Sequence, residues 1–122
     1  MRFEEKKDHY LDINIGLKWS KENFGPMSWD KTIKQFDGSN GWRLPTVEEL
    51  ITLVDRTKLD PATDLPKMLS SFYWSSATYA YYSGIAWYVH FYFGYDNYYL
   101  KSNAYYVRAV RTEKEKINAI SR

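Results

Sequence analysis

From Tyr10 to Trp19 the chain alternates, with Leu11, Ile13, Ile15 and Leu17 on one side and Asp12 and Asn14 on the other. That is the pattern of a half-buried strand. Gly25-Pro26 marks a turn. Beyond it, Trp29, Ile33 and Phe36 fall on one helical face, with Met27 before them, Ser28 placed as N-cap and Gly38 as stop. Thr46 and Glu49 have capping-box spacing, and Val47, Leu50, Ile51 and Val54 then form the buried stripe of a second helix ending near Arg56. A loop is expected between Leu59 and Pro66. After Phe72 the period falls to two. Trp87, Val89, Phe91 and Phe93 alternate with Tyr88, His90 and Tyr92, Gly94-Tyr95-Asp96-Asn97 reads as a hairpin turn, and Tyr98 to Lys101 as the returning strand. Tyr106 to Arg111 reads as a further strand, and Glu113 to Arg122 as a charged tail, frayed or briefly helical. Two helices between an early strand and late hairpins make an α+β pattern.

Composition narrows this. A chain of 122 residues fits one domain, with a core over about 10–111 and a charged tail over 112–122. Its 44% hydrophobic content can fill a core, and 19% aromatic residues argue against disorder. The net charge of +2 is spread among both signs, so no basic stripe points to nucleic acid. There are no cysteines, which excludes a disulfide, a zinc-thiolate site and a cysteine nucleophile. The N-terminus has no apolar stretch of a signal peptide, and no apolar run approaches the roughly 20 residues that cross a bilayer. Membrane insertion is not expected. Surface or virion display would require a longer protein around this domain; otherwise the expected compartment is the cytoplasm.

Three ordered groups of residues carry a resemblance. They are Leu17-Lys18-Trp19 with Met27-Ser28-Trp29, then Gly41-Trp42-Arg43-Leu44-Pro45-Thr46 with Glu49-Leu50 and Leu53-Val54-Asp55. The third comprises Tyr73-Trp74-Ser75-Ser76-Ala77-Thr78, Ala86-Trp87-Tyr88-Val89 and Tyr105-Tyr106-Val107-Arg108-Ala109-Val110-Arg111. Together they resemble the Lcl C-terminal domain family, from Leu11 to Arg111. The resemblance implies a C-type-lectin-like fold, with two helices packed on a twisted, mostly antiparallel sheet and paired N- and C-terminal strands. It implies adhesion or ligand binding, often in oligomers. The chain also resembles the variable proteins of diversity-generating retroelements. Calcium-dependent lectins use Glu-Pro-Asn or Gln-Pro-Asp and Trp-Asn-Asp, and formylglycine-generating enzymes need cysteines; this chain has none of these.

Every tyrosine but Tyr10 lies between Tyr73 and Tyr106, among Ser, Asn, Gly and Asp. The candidate binding residues are Tyr79, Tyr81, Tyr82, Tyr88, His90, Tyr92, Tyr95, Asp96, Asn97, Tyr98, Tyr99, Asn103 and Tyr105. Tyrosine offers large contact area at low rotamer cost, and small polar residues add adaptable hydrogen bonds, as in antibody paratopes. The competing reading is that strands favour tyrosine and some rings simply pack. Tyr88, His90 and Tyr92 are expected outside, because Trp87, Val89, Phe91 and Phe93 would hold the fold. From Ser75 to Arg108 only Trp87 and Lys101 fall outside the set that adenine mutagenesis of asparagine codons can produce.

Gly41 to Thr46 reads as architecture, with Trp42 and Leu44 in the core, Thr46 capping the second helix and Arg43 paired with a nearby carboxylate. Trp74-Ser75-Ser76 reads as a hydroxyl-stabilised turn. His9 and His90 lack metal-ligand spacing, and no serine-nucleophile elbow is present. Asp55, Asp60 and Asp64 match no EF-hand spacing, so a solvated loop is expected there. No cofactor, metal or catalysis is expected. The partner would be a protein or glycan on another surface. The rivals are a structural, homo-oligomeric subunit of a phage or surface fibre, and a carbohydrate-active or formylglycine-type enzyme.

Overall fold

A computed structural model describes residues 2–112. The charged tail expected from Glu113 onward lies outside the described residues. These form an α+β fold of nine strands and two short helices. β1 (Phe3–Glu5), β2 (His9–Asp12), β3 (Lys18–Ser20) and β9 (Val110–Arg111) make a four-stranded sheet in the order β1-β2-β3-β9. β4 (Phe24–Met27), β5 (Phe72–Thr78), β6 (Ile85–His90), β7 (Tyr95–Leu100) and β8 (Tyr105–Val107) make a second, in the order β4-β8-β5-β6-β7. Pairing is antiparallel except between β5 and β8.

The single strand expected from Tyr10 to Trp19 is instead a hairpin, β2 to β3. Asp12 causes the break. Its Oδ1 accepts the Asn14 N–H at 3.0 Å, its carbonyl accepts the Gly16 N–H at 2.8 Å, and Arg2 donates to its Oδ2 at 2.6 Å. A short acidic side chain that bonds its own backbone outcompetes the ladder. Ile13 and Ile15 are therefore exposed in the turn, not buried.

α1 (Trp29–Gln35) stops before Gly38, and Ser28 stands at its N-cap without a side-chain bond. Tertiary contacts hold it instead: the Trp29 N–H donates to Lys101 O at 3.0 Å and its indole to Ser75 O at 2.9 Å. α2 (Val47–Thr52) has the expected capping box. The Arg43 guanidinium grips Glu49 with two bonds of 2.7 Å, which fixes the turn before α2. Burial alone would raise the Glu49 carboxyl, but Arg43 and the Thr46 N–H outweigh it and hold it below the usual range. The helix ends short of Arg56 because Val54 bridges Thr63.

Ser75 lies within β5 rather than in a turn, its buried hydroxyl donating to Trp87 O at 2.8 Å. The β6–β7 turn falls earlier than expected, over residues 91–94. Gly94 ends it at φ +89°, where an added Cβ would meet Val54 Cγ1 at 2.6 Å. Residues 106–111 are not one strand. β8 joins the larger sheet and β9 the smaller, and Arg108 sits between them.

Arg108 is wholly buried. Its guanidinium donates to Ser20 O, to Pro66 O at 2.9 Å and to Lys21 O at 3.3 Å, tying β3 and the loop before β5 to the β8–β9 link. Burial pushes its pKa down to about 10, so it stays protonated at neutral pH. One core cluster, including Trp19, Leu50, Leu53, Tyr73, Val89 and Phe91, lies between the smaller sheet, α2 and one face of the larger sheet. The other, including Trp29, Leu44, Trp74, Tyr88 and Val107, lies under α1 on the opposite face.

Removing one partner from a buried hydrogen-bonded charge network leaves acceptors unsatisfied. Arg108→Met should therefore lower unfolding free energy by about 3–5 kcal/mol, measured by urea denaturation. Wild-type stability would show that the carbonyls are satisfied without it.

Candidate binding face

β6 divides the tyrosine-rich third by parity. Trp87 pairs with Tyr98, Val89 with Asp96 and Ile85 with Leu100, so these share the face toward α2. Tyr88 pairs with Asn97, His90 with Tyr95 and Ala86 with Tyr99, on the face toward α1. The sheet is covered on both faces at its centre and open on both at its β7 edge, where all six residues are exposed.

The expected division into inner and outer residues is therefore wrong in part. Val89 and Phe91 are buried as expected, but Tyr88 is only 8% exposed. It stacks on Phe72 at 4.9 Å and meets Tyr105 at 5.1 Å, beneath α1. Tyr105 is half-buried against Trp74, with ring centroids 4.6 Å apart. Burial, then the neighbouring phenols of Tyr88 and Tyr99, push the Tyr105 pKa up to about 12. Phe93, expected inside, is exposed, because residues 91–94 leave the ladder as a turn. His90 is half-buried among Phe72, Phe93 and Tyr95, and burial lowers its pKa from 6.5, keeping it neutral at pH 7.

Four rings converge at the other face. Tyr79 stacks on Tyr98 with centroids 4.1 Å apart and planes at 15°. Trp87 meets both, at 5.8 and 5.0 Å, and Tyr81 meets Tyr79 at 5.6 Å. The hydrogen bond with Tyr98 raises the Tyr79 phenol. Tyr81 is 88% exposed, Tyr98 is exposed, and Tyr79 and Trp87 are half-buried. Beside them opens a hollow of about 310 Å³ lined by Thr46, Val47, Glu48, Ser76, Ala77, Trp87 and Asp96. Edge-to-face and offset rings of this kind hold one another while leaving faces open to a partner.

The remaining candidates are spread apart. Tyr82 and Tyr99 are exposed, Tyr92 packs on Phe93 at 4.5 Å, and the Arg56 guanidinium lies 5.8 Å from the Tyr95 ring. Asn97 Oδ1 accepts the Tyr98 N–H at 2.8 Å, and the half-buried Asn103 closes a turn by donating its N–H to Leu100 O at 3.1 Å. Sequence reasoning assigned Trp87 to the core and missed Val47 and Glu48; the β6–β7 register sets Trp87 opposite Tyr98, and the start of α2 brings Val47 and Glu48 to the hollow that Asp96 also lines. A larger hollow of about 480 Å³, lined partly by Lys21, Phe24, Phe36 and Trp42, lies where β3 and β4 meet the end of α1. Among the described residues no group of three or more His, Cys, Asp or Glu could hold a metal, and no helix is long and apolar enough to cross a membrane.

The family model of the Lcl C-terminal domain matches residues 9–111. The chain belongs to the Lcl C-terminal domain family. Searches of curated proteins and of solved structures return no match. In this Lcl C-terminal domain the matched span holds the whole aromatic edge and every residue of the two core clusters except Phe3.

The burial pattern predicts a drawn-out tyrosine titration. Tyr73, raised by burial to about 12, and Tyr105, also at about 12, should ionise well above the usual phenol range. Their folded pKa values exceed the unfolded value of about 10. The stability they lend is complete below pH 10 and is lost as pH rises through 12. Phenolate absorbance should still be rising as pH approaches 12, with the unfolding temperature falling over the same range. A single stage near pH 10 with all 12 tyrosines ionised would contradict the burial.

Proposed function

We propose that this domain is a ligand-binding module of C-type-lectin-like fold. Its docking face is the cluster of Tyr79, Tyr81, Trp87 and Tyr98, with Asp96 and Glu48 beside it. The fold reading draws support from β9 pairing with β3 and from two helices set against opposite faces of the larger sheet. One observation carries the binding reading: four rings gather at an open edge next to a hollow that holds two carboxylates. Aromatic faces stack on the C–H face of a sugar, and carboxylates accept its hydroxyls. The ligand class favoured is therefore a glycan displayed on another surface, bound without catalysis. A variable-protein origin agrees with β7, whose exposed residues Tyr95 to Leu100 all belong to the adenine-mutagenesis set. A near-repeat of the gene's 3′ end differing at adenines, beside a reverse transcriptase, would establish it, and a genome lacking both would end it.

A well-placed aromatic anchor is worth about 2 kcal/mol, or roughly thirtyfold in affinity. On an array of glycans and surface proteins, Tyr79→Ala/Tyr98→Ala should bind its best ligand at least that much more weakly, with an unchanged unfolding temperature. A best hit that is a protein would overturn the glycan class. Undiminished binding, or a variant that does not fold, would overturn the assigned face.

A further inference from the structure

We infer that the free edge of β7 is a self-association surface, on which a second copy of this chain pairs antiparallel about a two-fold axis at Tyr98. Edge strands in stable monomers carry devices that block pairing. β1 is three residues long with Glu4 and Glu5 exposed, and β4 contains Pro26 and an irregular register. β7 is neither short nor broken by proline or a register shift, and its single charge is Asp96. It runs six residues in unbroken register with β6, contains no proline or basic residue, and among the described residues no strand lies on its outer side.

The backbone parity is fixed by three contacts. Lys101 N–H donates to Gly84 O at 2.8 Å, and Trp87 O faces β5, where it accepts the Ser75 hydroxyl at 2.8 Å. In an antiparallel ladder these groups alternate, so Tyr95, Asn97 and Tyr99 bond β6 while Asp96, Tyr98 and Leu100 point outward. The third contact agrees, since the Tyr98 N–H is held by its own neighbour, Asn97 Oδ1, at 2.8 Å.

That outward set is self-complementary. Antiparallel pairing maps Asp96, Tyr98 and Leu100 onto themselves only about Tyr98. Tyr98 then opposes its own copy, and Asp96 opposes Leu100 of the second copy. The strand's one charge never meets itself, as it would in a parallel in-register pair. The pairing offers up to six backbone hydrogen bonds, two of them to Leu100 carbonyls that already accept the Asn103 N–H. Asn97 must release the Tyr98 N–H for the central pair to form. The two-fold axis stands normal to the sheet, so both aromatic clusters end on one side of a continuous ten-stranded sheet, and the docking face stays open.

Sedimentation velocity over a concentration series tests this with the full chain. The wild type should form a dimer, and at high concentration the Asp96, Tyr98 and Leu100 amides should gain protection from hydrogen exchange. Leu100→Pro removes an outward N–H without touching a bond to β6, and should weaken the dimer by roughly tenfold or more. Leu100 lies outside the docking cluster, so ligand binding per subunit should survive in this variant, which separates the two proposals. A wild type that stays monomeric at millimolar concentration would overturn the inference. So would protection gained elsewhere, or a folded Leu100→Pro variant that dimerises like the wild type. If that variant does not fold, wild-type exchange decides alone.

Discussion

A buried guanidinium is the constraint on which this fold turns. Arg108 occupies the short link between β8 and β9, where the chain leaves one sheet for the other. Two separate segments bring their carbonyls to it, one at the end of β3 and one before β5. The charge is costly to bury, and its cost is offset only when all of those segments are in place at once. With the link fixed, β9 closes the smaller sheet against β3, and β8 seats β4 and β5 on either side of itself. The larger sheet is thereby held as a platform from β4 outward to β7.

That platform explains why neighbouring aromatic residues have opposite fates. Near β5 the sheet is roofed on both faces, by α2 with the smaller sheet and by α1. One strand further out, at β7, both faces are largely open and all six residues are exposed. β6 lies at the boundary. Tyr88 points beneath α1 and is buried, while Trp87 points past α2 and keeps part of its ring open. The hollow beside Trp87 exists because α2 begins there, with its first turn held by the Arg43–Glu49 pair.

Local chemistry was readable from the chain. The Thr46–Glu49 capping box needs only three residues of separation, and Arg43 found its carboxylate six residues away. Strand periodicity around Trp87 was also legible. The failures came where tertiary contact overruled a local pattern. The alternation through Ile13 and Ile15 promised a strand, but Asp12, pinned by Arg2, turned the chain. Alternation along β6 implied one wet face, and α1 covered it, placing Tyr88 in the core. Gly94 was legible as a turn residue, yet its position at the end of the turn depended on close approach to Val54. Arg108 was visible only as part of a motif, since its partners lie more than 40 residues away.

The central claim is that the boundary between core and docking face runs between two adjacent residues of β6. Side-by-side measurement of ligand affinity and unfolding free energy for Trp87→Ala and Tyr88→Ala tests it most directly. Trp87→Ala should lose about 2 kcal/mol of binding while keeping most of its stability. Tyr88→Ala should lose about 3 kcal/mol of stability. A Tyr88→Ala protein of wild-type stability that fails to bind, beside a Trp87→Ala protein that binds normally, would contradict the account.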